Sequence, residues 1–336
     1  MERMRRVAAV AAAVFLLAVA VPGAAQTPGE QVAPTAPGYE VPRTPWGDPD
    51  IGGIWPSIDM VRVPMQRAAE YGTRLFMTPE EHAVVAQREE ERIAAMARDG
   101  AGGATGAPGH WVEWGKSQRQ TSLIVDPPDG RMPALTPDGQ KRQAAMPRGT
   151  MGRDPLNGPR DFTWWERCGS RGLLGSTLPV LYNSGIDITQ GPGLVAIRYE
   201  MVHDHRVIPL DGRPHLSPAI RHYMGDARGR WEGDTLVVET RHFDGTVGFG
   251  ISGGGAPPSP SAVVTERFTR VSPDVIRYEV TVDDPGTWTG PWTAAFPLFR
   301  DPSYLMAEYA CHEGNLGLAN ALSGSRAEEQ ASPRSR

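Results

Sequence analysis

The second half of the chain constrains the fold most. Seven short runs, Ile186–Thr189, Leu194–Met201, Arg206–Leu210, Thr235–Thr240, Val263–Thr269, Val275–Val282 and Trp292–Pro297, are rich in β-branched and aromatic residues and are bounded by Gly, Pro, Asp or Asn. Such runs read as β-strands. Ile276, Tyr278, Val280 and Val282 alternate with Arg277, Glu279 and Thr281, the period-2 pattern of a strand with one buried and one polar face. Trp231-Glu232-Gly233-Asp234-Thr235 has the composition of a hairpin turn. Strands joined by short links, with no helical segment between them, arrange as an antiparallel sheet. The expected class is mainly β over residues 186–320: an antiparallel β-barrel of the lipocalin or calycin kind, or a two-sheet sandwich.

Residues 44–185 read differently. The chain's 39 glycines and 32 prolines argue for many turns rather than a helical bundle. This N-terminal part is expected to be irregular, to carry one or two helices and to pack on the β domain. Thr78-Pro79-Glu80-Glu81 is a helix start: Thr78 as N-cap, Pro79 in the first turn and Glu81 closing a capping box. That helix runs to about Arg98 and ends in a Gly/Ala loop over 99–109. Thr136-Pro137 opens a second, shorter one. Gly53-Ile54-Trp55 resembles the G-x-W that begins the first strand of many lipocalin-like barrels.

Residues 1–25 read as a secretory signal. Arg3, Arg5 and Arg6 precede the apolar run Val7–Val21, and Gly23-Ala24-Ala25 supplies small residues for cleavage. The run is shorter than the ~20 residues a membrane span needs. The expected location is periplasmic or secreted, without a membrane anchor after cleavage. Residues 26–43, rich in Pro, Ala, Thr and Gly, read as a flexible leader, and 321–336 as a disordered tail. A net charge of −5 gives no basic patch, so nucleic acid is excluded as an expected partner and a small molecule is favoured.

The chain has two cysteines, Cys168 and Cys311. In an oxidising compartment a Cys168–Cys311 disulfide is expected. Closing so long a loop stabilises by up to about 4–5 kcal/mol in the chain-entropy model. A free, nucleophilic Cys311 beside His312 is the competing reading.

Polar chemistry concentrates between Tyr199 and Thr240, which holds four of the eight histidines, seven acidic residues and five arginines. Polar groups among strands are costly unless paired or used. His203 and His205, at i and i+2, share a face if they lie on one strand, and with His215 or His312 they suggest a metal site. Arg213 offers a fork for an anionic group, or pairs with Asp211 or Asp204. His215, after Pro214, suits acid–base work. Asp226 with Arg228, and Arg230 with Asp234, read as ion pairs shaping a hairpin. At the other end, Glu308, Cys311, His312, Glu313 and Asn315 form a second polar cluster, either an acid–base unit or a cap on the last strand.

Segments 122–137, 203–215, 225–240, 265–274 and 310–315, among them HDHRVIPLDGRPH, GDARGRWEGDTLVVET and ACHEGN, resemble a family of exported bacterial proteins. The resemblance covers about Pro45 to Ala327. It implies export and marks the motif boundaries, and it implies no particular reaction. The chain has no G-x-S-x-G elbow, Walker loop, H-E-x-x-H, C-x-x-C-H or helix-opening G-x-G-x-x-G, so no organic cofactor is implied.

The functional expectation is an exported lyase, hydratase or hydrolase acting on a polar small molecule or sugar through His/Glu/Arg chemistry. Its candidate catalytic residues are His215, His312, Glu308 and Glu313. Its candidate binding residues are Arg213, His203, His205, Trp164, Trp165 and Asn315. In this scheme 203–215 and 308–315 meet across one pocket walled by the tryptophans. No cofactor is expected, with a metal through His203, His205 and His215 as the exception. The alternative is a lipocalin-like binder of an apolar or aromatic ligand.

Overall fold

The computed structural model describes residues 27–98, 112–151 and 156–331. The signal segment 1–25 and the loop 99–109 lie outside these residues. The protein is mainly β, with two antiparallel sheets and few helices. In chain order the strands are β1 (Gly53–Ile54), β2 (Ile124–Asp126), β3 (Ile186–Gly191), β4 (Leu194–Tyr199), β5 (His205–Pro209), β6 (Asp226–Glu232), β7 (Thr235–Arg241), β8 (Val263–Ser272), β9 (Val275–Asp283) and β10 (Trp292–Phe299). One sheet has the order β1-β3-β4-β5 and the other β2-β10-β9-β8-β7-β6. No closed barrel is found among the described residues, and a sandwich-like arrangement fits the two sheets.

The pleat explains which side chains meet. Ile188, Val195, Ile197, Tyr199 and Ile208 from the smaller sheet share one core with Leu236, Val238, Phe268, Tyr278, Val280 and Phe296 from the larger one. Each such side chain contributes roughly 1.5–3 kcal/mol through burial. Ile276, Tyr278, Val280 and Val282 all face this core, as their alternation requires. The two-residue loop Gly233-Asp234 joins β6 to β7, with Gly233 left-handed at φ +59°, as a tight hairpin demands. Within the core, Arg206 of β5 makes a two-pronged ion pair with Glu266 of β8, at 2.5 and 2.7 Å. Tyr278 donates a further hydrogen bond to Glu266 at 2.9 Å. This pair links the sheets where no strand ladder does.

The first half is built into the same core. Trp55 is fully buried and its indole donates to the carbonyl of Ile51 at 3.0 Å. Helix α2 (Pro79–Arg98) starts at the expected box: the Glu81 amide donates to Thr78 Oγ1 at 3.2 Å and the Thr78 amide to Glu81 Oε2 at 2.8 Å. Helix α3 (Pro137–Ala144) is capped by Thr136. Two segments differ from their reading as leader and tail. Residues 28–32 form helix α1 (Pro28–Val32), capped by Thr27, and Arg277 of β9 donates to the carbonyl of Ala33 at 3.1 Å. The last helix, α5 (Gly317–Ala331), occupies most of the expected disordered tail. Its Ala, Leu and Glu content favours helix, and it is docked: the Leu156 amide donates to Ser325 and Arg326 to the Leu156 carbonyl, at 3.2 and 2.9 Å. Composition alone hid both dockings, because each rests on a handful of contacts distant in sequence.

Candidate functional site

The chain leaves β4 through a strained corner. Val202 and His203 both adopt left-handed backbone, at φ +59° and +47°. For a β-branched residue this is an outlier, and such strain costs about 1–3 kcal/mol per residue and concentrates at functional sites. Two further left-handed non-glycine residues, Cys168 and Asn183, are tied to the same corner. Only His242 and Ser252 share this conformation elsewhere among the described residues. Strain therefore marks this corner above any other part of the molecule.

Four segments converge there. Glu200 accepts from Tyr304 Oη at 2.5 Å, the Ala307 amide at 3.0 Å, Asn183 Nδ2 at 3.1 Å and the Gly185 amide at 3.2 Å. Asp204 accepts from Ser170 Oγ at 2.7 Å and from the Arg171 amide at 3.4 Å. His203 Nδ1 lies 3.3 Å from the carbonyl oxygen of Tyr309. The Cys168–Cys311 disulfide, with Cα atoms 5.6 Å apart, fastens the C-terminal segment to residue 168. Helix α4 (Gly172–Thr177), wholly buried, backs the segment that carries Ser170 and Arg171.

Electrostatics at the corner follow from burial. Asp204 is 5% exposed and burial raises its pKa above the usual aspartate range, against the lowering effect of the Ser170 hydroxyl. Glu113 is also raised, by burial and then by its neighbour Glu200, and its Oε2 is enclosed without a hydrogen-bond partner. Tyr309 is pushed up to about 12 by burial and by Tyr182, so its phenol stays protonated at neutral pH. Tyr304 is raised by burial and by its bond to Glu200. The Arg171 guanidinium is lowered to about 10 by burial; it lies 4.3 Å over the Trp165 ring.

The expected site residues divide between this corner and other places. Trp164 and Trp165 lie at the corner, stacked with Arg167 at 4.8 Å and Arg171 at 4.3 Å. Asn315 lies there too, donating to Cys168 Sγ at 3.3 Å, while its Oδ1 accepts the Gly317 amide at 3.2 Å at the start of α5. Glu308, His312 and Glu313 are on the same segment but exposed. Arg213 is exposed and pairs with Asp211, Nε to Oδ2 at 2.7 Å.

His215 belongs to a second cluster, on the hairpin of β6 and β7. Its Nδ1 lies 2.9 Å from Asp226 Oδ2 and its Nε2 3.2 Å from Glu239 Oε1. Both ring nitrogens are thereby occupied. Arg228 holds Asp226 at 2.7 Å and Arg241 holds Glu239 at 2.6 Å. These bonds outweigh partial burial and lower the pKa of both carboxyls. His242 meets His215 edge-on at 5.8 Å. Burial and the nearby His215 lower its pKa. No hydrogen bond, ion pair or ring contact joins His215 to His312.

The hairpin's ion pairs differ partly from expectation. Asp226 does pair with Arg228, but Arg230 pairs with Glu232 at 2.6 Å and Asp234 with Arg43 at 2.6 Å. Glu232, two residues from Arg230 on β6, takes that guanidinium, and Asp234 in the loop is held by Arg43 from the N-terminal part. The metal idea assumed that His203 and His205 share a strand. His203 instead sits in the left-handed turn and His205 is the first residue of β5, so the i, i+2 rule does not apply. Among the described residues no group of three His, Cys, Asp or Glu is placed to hold a metal ion.

Reasoning from sequence missed Arg171, Glu113, Tyr182 and Tyr304, which lie in no recognisable motif, and passed over Tyr309 within the 308–315 segment. Asp204 enters the sequence reading only as a possible partner of Arg213, and Glu200 only as one of the acids between Tyr199 and Thr240. Two surface cavities of about 380 and 390 Å³ open elsewhere, one lined by Phe76, His82 and Arg119, the other by Arg142, Arg221, Phe243 and Asp244. Comparison with protein-family models, with curated proteins and with solved structures gives no match.

Proposed function

We propose that the protein is an exported enzyme, periplasmic or secreted, that performs acid–base chemistry on a small molecule at the corner around Glu200–Asp204. The reaction class is elimination, hydration or hydrolysis. The observation that carries this reading is the position of His203. A carbonyl oxygen only accepts, so in this contact His203 donates from Nδ1, the arrangement in which a neutral ring presents Nε2 as the base. The residue is exposed, so that base faces solvent and substrate. Its strained backbone is a cost that stability alone does not explain. Asp204 lies next to it in the chain and accepts from the Arg171 amide, and the disulfide fastens the segment that carries Tyr309.

The alternative of a lipocalin-like lumen has less support. Trp55, Tyr199, Phe268, Tyr278, Trp292 and Phe296, the rings that would wall it, are at most 1% exposed and packed. The Arg206–Glu266 pair lies among them. Export is supported by the N-terminal sequence and by the disulfide, which persists in oxidising compartments. Among the described residues no helix is long and apolar enough to cross a membrane.

The test is conversion of a panel of small organic acids, esters and sugars by the mature protein, followed by mass spectrometry. His203→Gln slows any conversion by about 10²–10⁴-fold, the usual worth of a general base. Conversion at an undiminished rate by that variant overturns the proposal.

A further inference from the structure

Five arginines of the described chain are buried: Arg67, Arg171, Arg206, Arg270 and Arg277. Four of their guanidinium groups have partners. Arg67 donates to Thr121, Gly72 and Pro128, Arg206 to Glu266, Arg270 to the carbonyls of Asp50 and Pro273, and Arg277 to that of Ala33. Arg171 differs. It is 2% exposed, its Nε and Nη1 are enclosed without a hydrogen-bond partner, and it enters no ion pair. Asp204 bonds its backbone amide, not its guanidinium. A buried cation without a partner is unfavourable, and the free-energy cost is recovered only when something binds it.

Its surroundings suit one kind of ligand. The guanidinium rests on the face of Trp165, and the phenols of Tyr182 and Tyr309 act on it electrostatically. All three rings are partly exposed, so the cover over the cation belongs to the surface and not to the sheet core. Tyr309, held protonated, forms a hydrogen-bonded phenol pair with Tyr182 beside the cation. One positive charge balances one negative charge, and a planar fork matches a planar two-oxygen acceptor.

We infer that Arg171, with Tyr309 and Tyr182, is the binding point for the carboxylate of a small organic acid. This deepens the reading of the corner as a reaction site and rests on it: the acid is the substrate whose proton transfer His203 serves. A phosphate dianion would leave one charge uncompensated at a single guanidinium, so the site discriminates in favour of a monocarboxylate.

The experiment is calorimetric titration of the mature protein with benzoate, with acetate and with inorganic phosphate. Binding of benzoate or acetate at least tenfold tighter than phosphate is expected. Arg171→Lys, which keeps the charge and loses the fork, weakens it at least tenfold; Tyr309→Phe, which removes only the hydroxyl, weakens it several-fold. If Arg171→Lys fails to fold by circular dichroism, Tyr309→Phe alone decides. No carboxylate binding up to tens of millimolar, or binding unchanged in the folded variants, overturns the inference. His203→Gln keeps the two claims apart. Carboxylate binding that persists in His203→Gln with turnover also intact sinks the acid–base reading alone. Turnover that needs His203 but is indifferent to Arg171 and Tyr309 sinks the carboxylate site alone.

Discussion

His203 Nδ1 meets the carbonyl oxygen of Tyr309, a residue 106 positions further along the chain. The contact joins the strained turn after β4 to the segment that the disulfide fastens. It makes the tautomer of His203 depend on the C-terminal motif. Removing the disulfide should therefore loosen this segment and leave the sheets in place. Cys168→Ala with Cys311→Ala is expected to lower unfolding free energy by about 2–5 kcal/mol, read from urea titration. The two sheets do not depend on the bridge, so near-native circular dichroism should remain. An unchanged urea midpoint would show that the bridge does not anchor the segment.

The buried Arg206–Glu266 pair tests what joins the sheets. Glu266→Gln leaves a buried cation half-paired and should cost about 3–5 kcal/mol. The double substitution Arg206→Met with Glu266→Leu should recover most of that loss, because apolar replacement of a whole pair is often near neutral. A double-mutant cycle without coupling would place the sheet-to-sheet energy elsewhere.

Gly175 tests how the corner is supported. A Cβ at this position would lie 2.2 Å from the backbone nitrogen of Gly253. Neither backbone can yield cheaply, so Gly175→Ala should destabilise by about 3 kcal/mol or more. Because α4 follows directly on Ser170 and Arg171, hydrogen exchange at 168–171 should quicken more than exchange in β8 and β9. Uniform quickening would mean that the helix supports the whole molecule and not the corner.

Asp204 gives a pH prediction. Burial raises its folded pKa above the ordinary aspartate value of 3.8. For an acid raised in the folded state, stability is highest below the unfolded value and is lost as pH rises through the folded one. Asp204→Asn does not titrate, and its amide oxygen can accept from Ser170. The stability of Asp204→Asn relative to the parent should therefore rise between pH 3.5 and pH 7 in urea titrations. A difference that falls over that interval would mean that hydrogen bonding, not burial, dominates this carboxyl.

The sequence carried the strands well and the site poorly, for a physical reason. Strand residues such as Ile276, Tyr278, Val280 and Val282 declare their burial by local period, and Thr78 with Glu81 declares a helix start three residues away. The disulfide was legible because two cysteines behind a signal-like N-terminus have few options. The corner depends on partners 34 residues apart, as in Ser170 with Asp204, or 104 apart, as in Tyr304 with Glu200. No local pattern encodes such pairs. Histidine spacing misled where backbone strain broke the strand rule at His203, and His215 drew attention although two carboxylates fully occupy it. Arg171 gave no signal, since an unpaired cation is visible only once burial is known.

The most direct measurement is long-range ¹H–¹⁵N NMR of the His203 ring in the mature protein, with and without benzoate. A proton on Nδ1, a free Nε2 and a shift of both nitrogens on saturation with benzoate are the result expected of a base held by Tyr309 beside a carboxylate site. A proton on Nε2, or a His203 ring indifferent to benzoate that binds at Arg171, would contradict the account.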